Sequence, residues 1–135
     1  MGESGIHINY LAVLVSTVLA FVLGALWYGP LFGKIWLKEM NFTEEELKKA
    51  NMAKIFGTAF FLNLIISINL AMFIGPKADL GFGLFAGAAA GIGWVAASIG
   101  ITYLFGRKSL RLFLVDAGYQ AVIYTLMGGI LGVWK

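Results

Sequence analysis

Four apolar runs, each of about twenty residues, are the feature that most constrains this chain. A run of that length at 1.5 Å per residue crosses about 30 Å of hydrocarbon. The runs cover roughly residues 6–28, 52–74, 80–105 and 110–134, and the breaks between them are short, charged or glycine–proline. Composition points the same way: of 135 residues, 60% are hydrophobic and only 13% are charged. Soluble domains carry about 25% charged residues, and a small soluble domain has little interior in which to hide so much apolar surface. Lipid is therefore the expected solvent, and the bilayer the expected partner. Closed β-barrels also span membranes, but they need alternating patterns, and runs such as LFAGAAAGIGWVAASIG do not alternate. The expected fold is all-α: an integral membrane four-helix bundle with a short in-plane amphipathic helix after the first span, forming one transmembrane domain.

Several chemistries are excluded or unsupported. There is no cysteine, so disulfides, thiolate catalysis and cysteine metal sites are absent. The single histidine, His7, cannot form a metal cluster and reads as an interfacial residue. No motif points to a cofactor or to catalysis. The net charge of +3 is no nucleic-acid signal, because the basic residues sit in short loops between apolar runs. The start, MGESGIHINY, lacks the basic region of a secretory signal, so the first run is expected to remain as a span.

Lysine and arginine mark the cytoplasmic side. Lys34, Lys38, Lys48, Lys49 and Lys54 follow the first span, and Arg107, Lys108 and Arg111 follow the third. Only Lys77 and Lys135 lie on the other side, so eight basic residues stand against two. Both termini are expected to be non-cytoplasmic.

The stretch Gly24–Met40, GALWYGPLFGKIWLKEM, ends the first span. Trp27 and Tyr28 suit the headgroup level. Gly29 offers a left-handed cap and Pro30 a stop, so the helix is expected to break there. Beyond it, Leu31, Phe32, Ile35, Trp36 and Met40 fall on one side at helical spacing, opposite Lys34, Lys38 and Glu39. That is the pattern of a helix lying in the membrane surface. Trp27, Tyr28, Lys34, Trp36 and Lys38 are the candidate interface residues, and the lysines can bind anionic headgroups at ~1 kcal/mol per charge. Thr43 with Glu46 three residues on forms a capping box, and the helix it opens is expected to run directly into span two. Asp79 and Ser109 read as N-caps of spans three and four, and Gly106 as the stop of span three.

The block Trp27-Tyr28-Gly29-Pro30-Leu31-Phe32-Gly33-Lys34-Ile35-Trp36, followed by the helix start Thr43-Glu44-Glu45-Glu46 and three more spans, resembles a family of small bacterial membrane proteins, domain-of-unknown-function family 1761. The resemblance covers most of the chain. It implies a four-span bundle in a bacterial inner membrane and brings no activity with it.

Asp116 is the sharpest candidate for function. It lies six residues into span four, about 9 Å along the helix. A carboxylate at the centre of a span costs ~2.5–3.5 kcal/mol on insertion scales, so such groups turn to the interior and find partners. Tyr119 and Gln120 share its face, while Asn63 of span two and Ser98 of span three lie at similar depth. A polar intramembrane cluster of Asp116, Gln120, Tyr119, Asn63 and Ser98 is expected: a cation, proton or small polar ligand site, or a hydrogen-bonded lock on the bundle. Arg107 and Arg111 are alternative partners for the carboxylate. Gly83, Gly87 and Gly91 in span three, and Gly128 and Gly132 in span four, are small-residue packing faces. Asn69 points about 120° away from Asn63. These two-faced patterns favour a homo-oligomer, a dimer or trimer.

Three functional classes follow: a small transporter or channel using Asp116 and Gln120, a structural or lipid-interacting protein, and, last, a membrane enzyme on an amphipathic substrate. All three require the chain to leave water. Purified protein is expected to stay monodisperse on size-exclusion chromatography only with detergent present; a sharp monomer peak in plain buffer would refute the membrane reading.

Overall fold

The computed structural model describes residues 8–134; His7 and Lys135 lie outside them. The chain is all-helical, with four helices long and apolar enough to cross a membrane: Tyr10–Leu31, Met52–Ile74, Leu80–Phe105 and Leu110–Val133. Helix α1 (Tyr10–Leu26) continues into a π-turn over Trp27–Leu31. The short helices α2 (Gly33–Met40) and α3 (Glu44–Lys48) follow, then α4 (Met52–Ile74). The third span is α5 (Leu80–Ala90), a π-segment over Gly91–Ala96, and α6 (Ala97–Phe105); the fourth is α7 (Leu110–Val133).

Side chains close most helix starts, as their sequences require. Asn9, Thr43, Asn51, Asp79 and Ser109 each accept a backbone N–H of the first helical turn. Two boundaries differ from the sequence expectation. The first span does not break at Gly29-Pro30. Gly29 stays out of the left-handed region, and the wider π-turn carries the chain through Pro30, with Phe32 N–H donating to Trp27 O at 2.8 Å. A π-turn tolerates the missing proline N–H because the register is already shifted by one residue there. The bend comes at Phe32 (φ −127°, ψ 7°), where Gly33 packs so closely that a Cβ on it would lie 2.5 Å from Tyr28 O. Secondly, α3 does not run into span two: it ends at Lys48 with Lys49 as its C-cap, and Asn51 caps α4 afresh. Gly106 stops the third span as expected; it stays right-handed, and Arg107 takes the left-handed position after it (φ 58°), with Lys108 N–H donating to Tyr103 O at 2.9 Å.

Helix α7 is the hub and touches every other span. The core contains Ala12, Val13 and Ala20 of α1, Leu70, Ala71 and Ile74 of α4, and Ile123, Met127 and Leu131 of α7. Three hydroxyls are buried with them: Ser16, Thr17 and Ser67. Thr17 donates to Val13 O at 2.8 Å, so Ser67, 3.2 Å away, supplies the hydrogen between the two hydroxyls; Met127 Sδ lies 3.8 Å from Ser67 Oγ. At the far end Asn9 donates to Trp134 O at 3.2 Å and ties α1 to α7. Outward surfaces are apolar: Leu104 is 78% exposed and Phe105 86%. That cost is acceptable only in lipid.

The closest approach joins α5 to α7. A Cβ on Gly83 would meet Gly128 O at 2.1 Å, and one on Gly87 would meet Tyr124 O at 2.1 Å; Gly132 and Gly91 are similarly pressed against Asp79 and Tyr124. The small-residue faces of spans three and four thus engage each other within one chain, which is where a lipid-embedded bundle finds its packing energy. Those faces are therefore not free to join copies of the chain. Gly83→Ala is expected to destabilise the bundle by about 1–3 kcal/mol, read as unfolding in mixed micelles, whereas Gly93→Ala, with nothing within 4 Å of the new Cβ, changes little.

Candidate functional site

Asp116 sits in the second turn of α7, half-buried, and its carboxylate is gripped from two other spans. Tyr28 of the π-turn donates to Oδ1 at 2.7 Å. Tyr103 of α6 donates to Oδ2. The one carboxylate therefore joins spans one, three and four. Side-chain tilt makes this possible, because every Cα–Cβ bond leans toward its helix N-terminus. In the antiparallel α6–α7 hairpin, Tyr103 leans into the bundle while Asp116 leans back toward the loop, and they meet.

Two neighbouring aromatic tips reinforce the joint. Trp27 Nε1–H donates to Val115 O at 2.9 Å, and Tyr119 O–H donates to Ala20 O at 2.6 Å. Consecutive residues Trp27 and Tyr28 both reach α7, one to a backbone carbonyl and the next to the adjacent carboxylate. The π-turn is the local irregularity at which this happens. Glycines make room: a Cβ on Gly118 would lie 3.2 Å from the Trp27 ring, and one on Gly24 would lie 3.6 Å from Tyr119 Oη. The rings continue outward. Tyr119 and Tyr28 centroids are 5.5 Å apart, Tyr28 and Trp36 5.9 Å, Trp36 and Phe42 5.8 Å. A file of aromatics thus runs from α7 through the end of span one into α2. Tyr28–Trp36 and Trp36–Phe42 meet edge to face, a favoured geometry for aromatic pairs.

The remaining candidates are placed as follows. Tyr119 stands beside the carboxylate and spends its hydroxyl on Ala20 O. Gln120 is half-buried and makes no side-chain hydrogen bond among the described residues. Asn63 donates one turn back, to Ala59 O at 3.1 Å, and Ser98 is exposed on span three. Neither Asn63 nor Ser98 is bonded to Asp116, and neither Arg107 nor Arg111 takes its oxygens. Lys34 and Lys38 are exposed on α2, with Trp36 half-buried beneath them. Tyr103 is the residue that sequence reasoning missed. Its depth below the hairpin and its lean toward Asp116 were the available signal.

Chemically the site is a carboxylate with one phenol hydrogen bond on each oxygen. No group of three or more His, Asp or Glu side chains suited to a metal occurs among the described residues. No nucleophile–base pair accompanies Asp116 among the described residues. The arrangement joins spans one, three and four through one side chain. Tyr28→Phe and Tyr103→Phe are each expected to cost about 1–3 kcal/mol, the range for hydrogen bonds to charged groups and for orphaned buried acceptors. Their double variant is expected to depart from the sum of the two, because both hydrogen bonds end on one carboxylate. Unfolding in mixed micelles reads all three; a loss near zero in both single variants would remove the fastening role.

No curated protein and no solved structure matches the chain. A family model described as protein of unknown function (DUF1761) matches residues 11–132, which takes in all four spans except their outermost residues and the whole Tyr28–Asp116–Tyr103 joint. The protein belongs to the DUF1761 family.

Proposed function

We propose that this protein is a lipid-interacting protein of a bacterial inner membrane, and that it holds a basic amphipathic platform against anionic headgroups of the cytoplasmic leaflet. One observation carries the reading: α2 is amphipathic and is fastened to the bundle. Lys34 and Lys38 are exposed on it, as is apolar Ile35, with exposed Leu31 just before it at the end of the π-turn. Its first residue packs on Tyr28 O, its Trp36 ring meets the Tyr28 ring, and Tyr28 is bonded to Asp116. A helix held this way presents its lysines without the entropy loss of ordering a free segment. Lys48, Lys49, Lys54, Arg107, Lys108 and Arg111 belong to the same end of the bundle. Each basic residue near an anionic surface contributes about 1 kcal/mol.

Transport through Asp116 and Gln120 is less well supported. Both Asp116 oxygens are engaged, and the hydroxyls deeper in the bundle, Tyr119 and Thr17, donate to backbone carbonyls of α1. A path for a proton or cation would have to break these bonds in turn.

The test is lipid selectivity. Protein purified from membranes in mild detergent is expected to retain phosphatidylglycerol in preference to phosphatidylcholine, measured by native mass spectrometry. Lys34→Gln with Lys38→Gln is expected to lose most of that preference, by about tenfold or more for two charges. An unchanged lipid profile in the double variant would sink the platform reading, and a pH-dependent flux in proteoliposomes abolished by Asp116→Asn would replace it with transport.

A further inference from the structure

Spans two and three stand apart and leave a cavity of about 580 Å³ between them. Asn69 and Phe73 of α4 form one wall, Ala86 and Ala90 of α5 with Trp94 of the π-segment form the other, and Tyr124 of α7 also lines it. The cavity follows from the glycine packing. Gly83, Gly87 and Gly91 draw span three onto α7, so the alanines of α5 face α4 and are too short to fill the gap. The Phe73 and Trp94 rings meet edge to face across it, centroids 6.1 Å apart. Its volume falls in the range of small-molecule sites, about 300–1,000 Å³.

The lining is not uniformly apolar. Asn69 donates one amide hydrogen back to Ile65 O at 2.8 Å, and its Oδ1 has no donor among the described residues. The Tyr124 hydroxyl and the Trp94 indole N–H have no hydrogen-bond partner among them either. Trp94 is 64% exposed and lies fourteen residues from one end of its span and eleven from the other, far from the headgroup level where an indole N–H finds water. Three polar side chains thus border one cavity in a region where hydrocarbon satisfies none of them. No charged residue lines it, so a charged headgroup inside would go uncompensated.

We propose that this cleft is a lateral binding site for a neutral single-chain lipid bearing a hydroxyl, a long-chain alcohol in chemical class. The chain fills the apolar volume. The hydroxyl donates to Asn69 Oδ1 and accepts from the Tyr124 hydroxyl. The site is separate from the basic platform, since no residue of α2 or α3 lines it, and it stands or falls independently of that reading.

The probe is a long-chain fatty alcohol carrying a diazirine near its end, added to the full-length protein in phosphatidylcholine proteoliposomes and photolysed. Cross-links mapped by mass spectrometry are expected to concentrate on residues 65–73 and 82–95. An excess of unlabelled alcohol is expected to displace them; an alkane of equal length, or the ionised fatty acid, is not. Tyr124→Phe removes one oxygen without altering the fold and is expected to weaken labelling about fivefold, the fold-change of one neutral hydrogen bond. Ala90→Trp fills the cavity and is expected to abolish labelling, with circular dichroism checking that the variant is folded. Should Ala90→Trp misfold, Tyr124→Phe alone decides. Labelling spread evenly over lipid-facing residues, displacement by the alkane, no change in Tyr124→Phe, or intermolecular cross-links showing a second copy seated in the cleft would each overturn the proposal.

Discussion

Hydrocarbon offers a polar group no hydrogen bond, and the structure depends on that more than on any other fact. Helices meet the demand for the backbone. For side chains the chain uses three routes. Asn63, Asn69 and Thr125 donate to carbonyls one turn back in their own helix. Thr17 and Ser67 pair in the centre of the bundle. Asp116, the costliest, receives a phenol on each oxygen. The last route has the largest structural effect, because Tyr28 and Tyr103 come from different spans. Solvating this half-buried carboxylate fixes where the end of span one, the end of span three and the start of span four lie relative to each other.

Apolar packing supplies the complement. Water does not drive lipid-facing helices together, so close contact has to come from shape. Gly83 against Gly128, and Gly87 against Tyr124, bring backbones near enough for Cα–H···O contacts. The tight face on one side of span three leaves a loose face on the other. Strong association of α5 with α7 and weak association of α5 with α4 are two sides of the same asymmetric helix, glycines on one face and alanines on the next.

Hydropathy alone was enough to find the four long apolar helices, because a twenty-residue apolar requirement tolerates errors of a few residues at each end. Caps at Thr43, Asp79 and Ser109 were legible for a similar reason: each depends on residues within one turn. The end of span one was not legible. Gly29-Pro30 reads locally as a stop, but the π-turn there is held by Trp27 and Tyr28 bonded to α7, contacts eighty-eight positions away in the chain. Gly106 was legible as the stop of span three, because the helix ends at Phe105 with Gly106 as its C-cap, but the left-handed position falls one residue later, on Arg107. At the site, depth and helical face singled out Asp116 and Tyr119. Matching Asn63 and Ser98 to them assumed that polar groups at equal depth meet. Asn63 satisfies itself with Ala59 O, which removes its need for an interhelical partner, and a long phenol from a shallower level, Tyr103, reaches the carboxylate instead.

The hydrogen bond from Asn9 to Trp134 O sets the beginning of the first span beside the end of the last. Spans one and four are therefore neighbours although they are the most distant in sequence, and the bundle is topologically a closed ring of helices. A short linker from the end of α7 to the start of α1, with new ends cut in the exposed segment around residues 49–51, would preserve each interhelical contact described here. Connectivity orders the spans along the chain, but their arrangement in the bilayer belongs to the side chains.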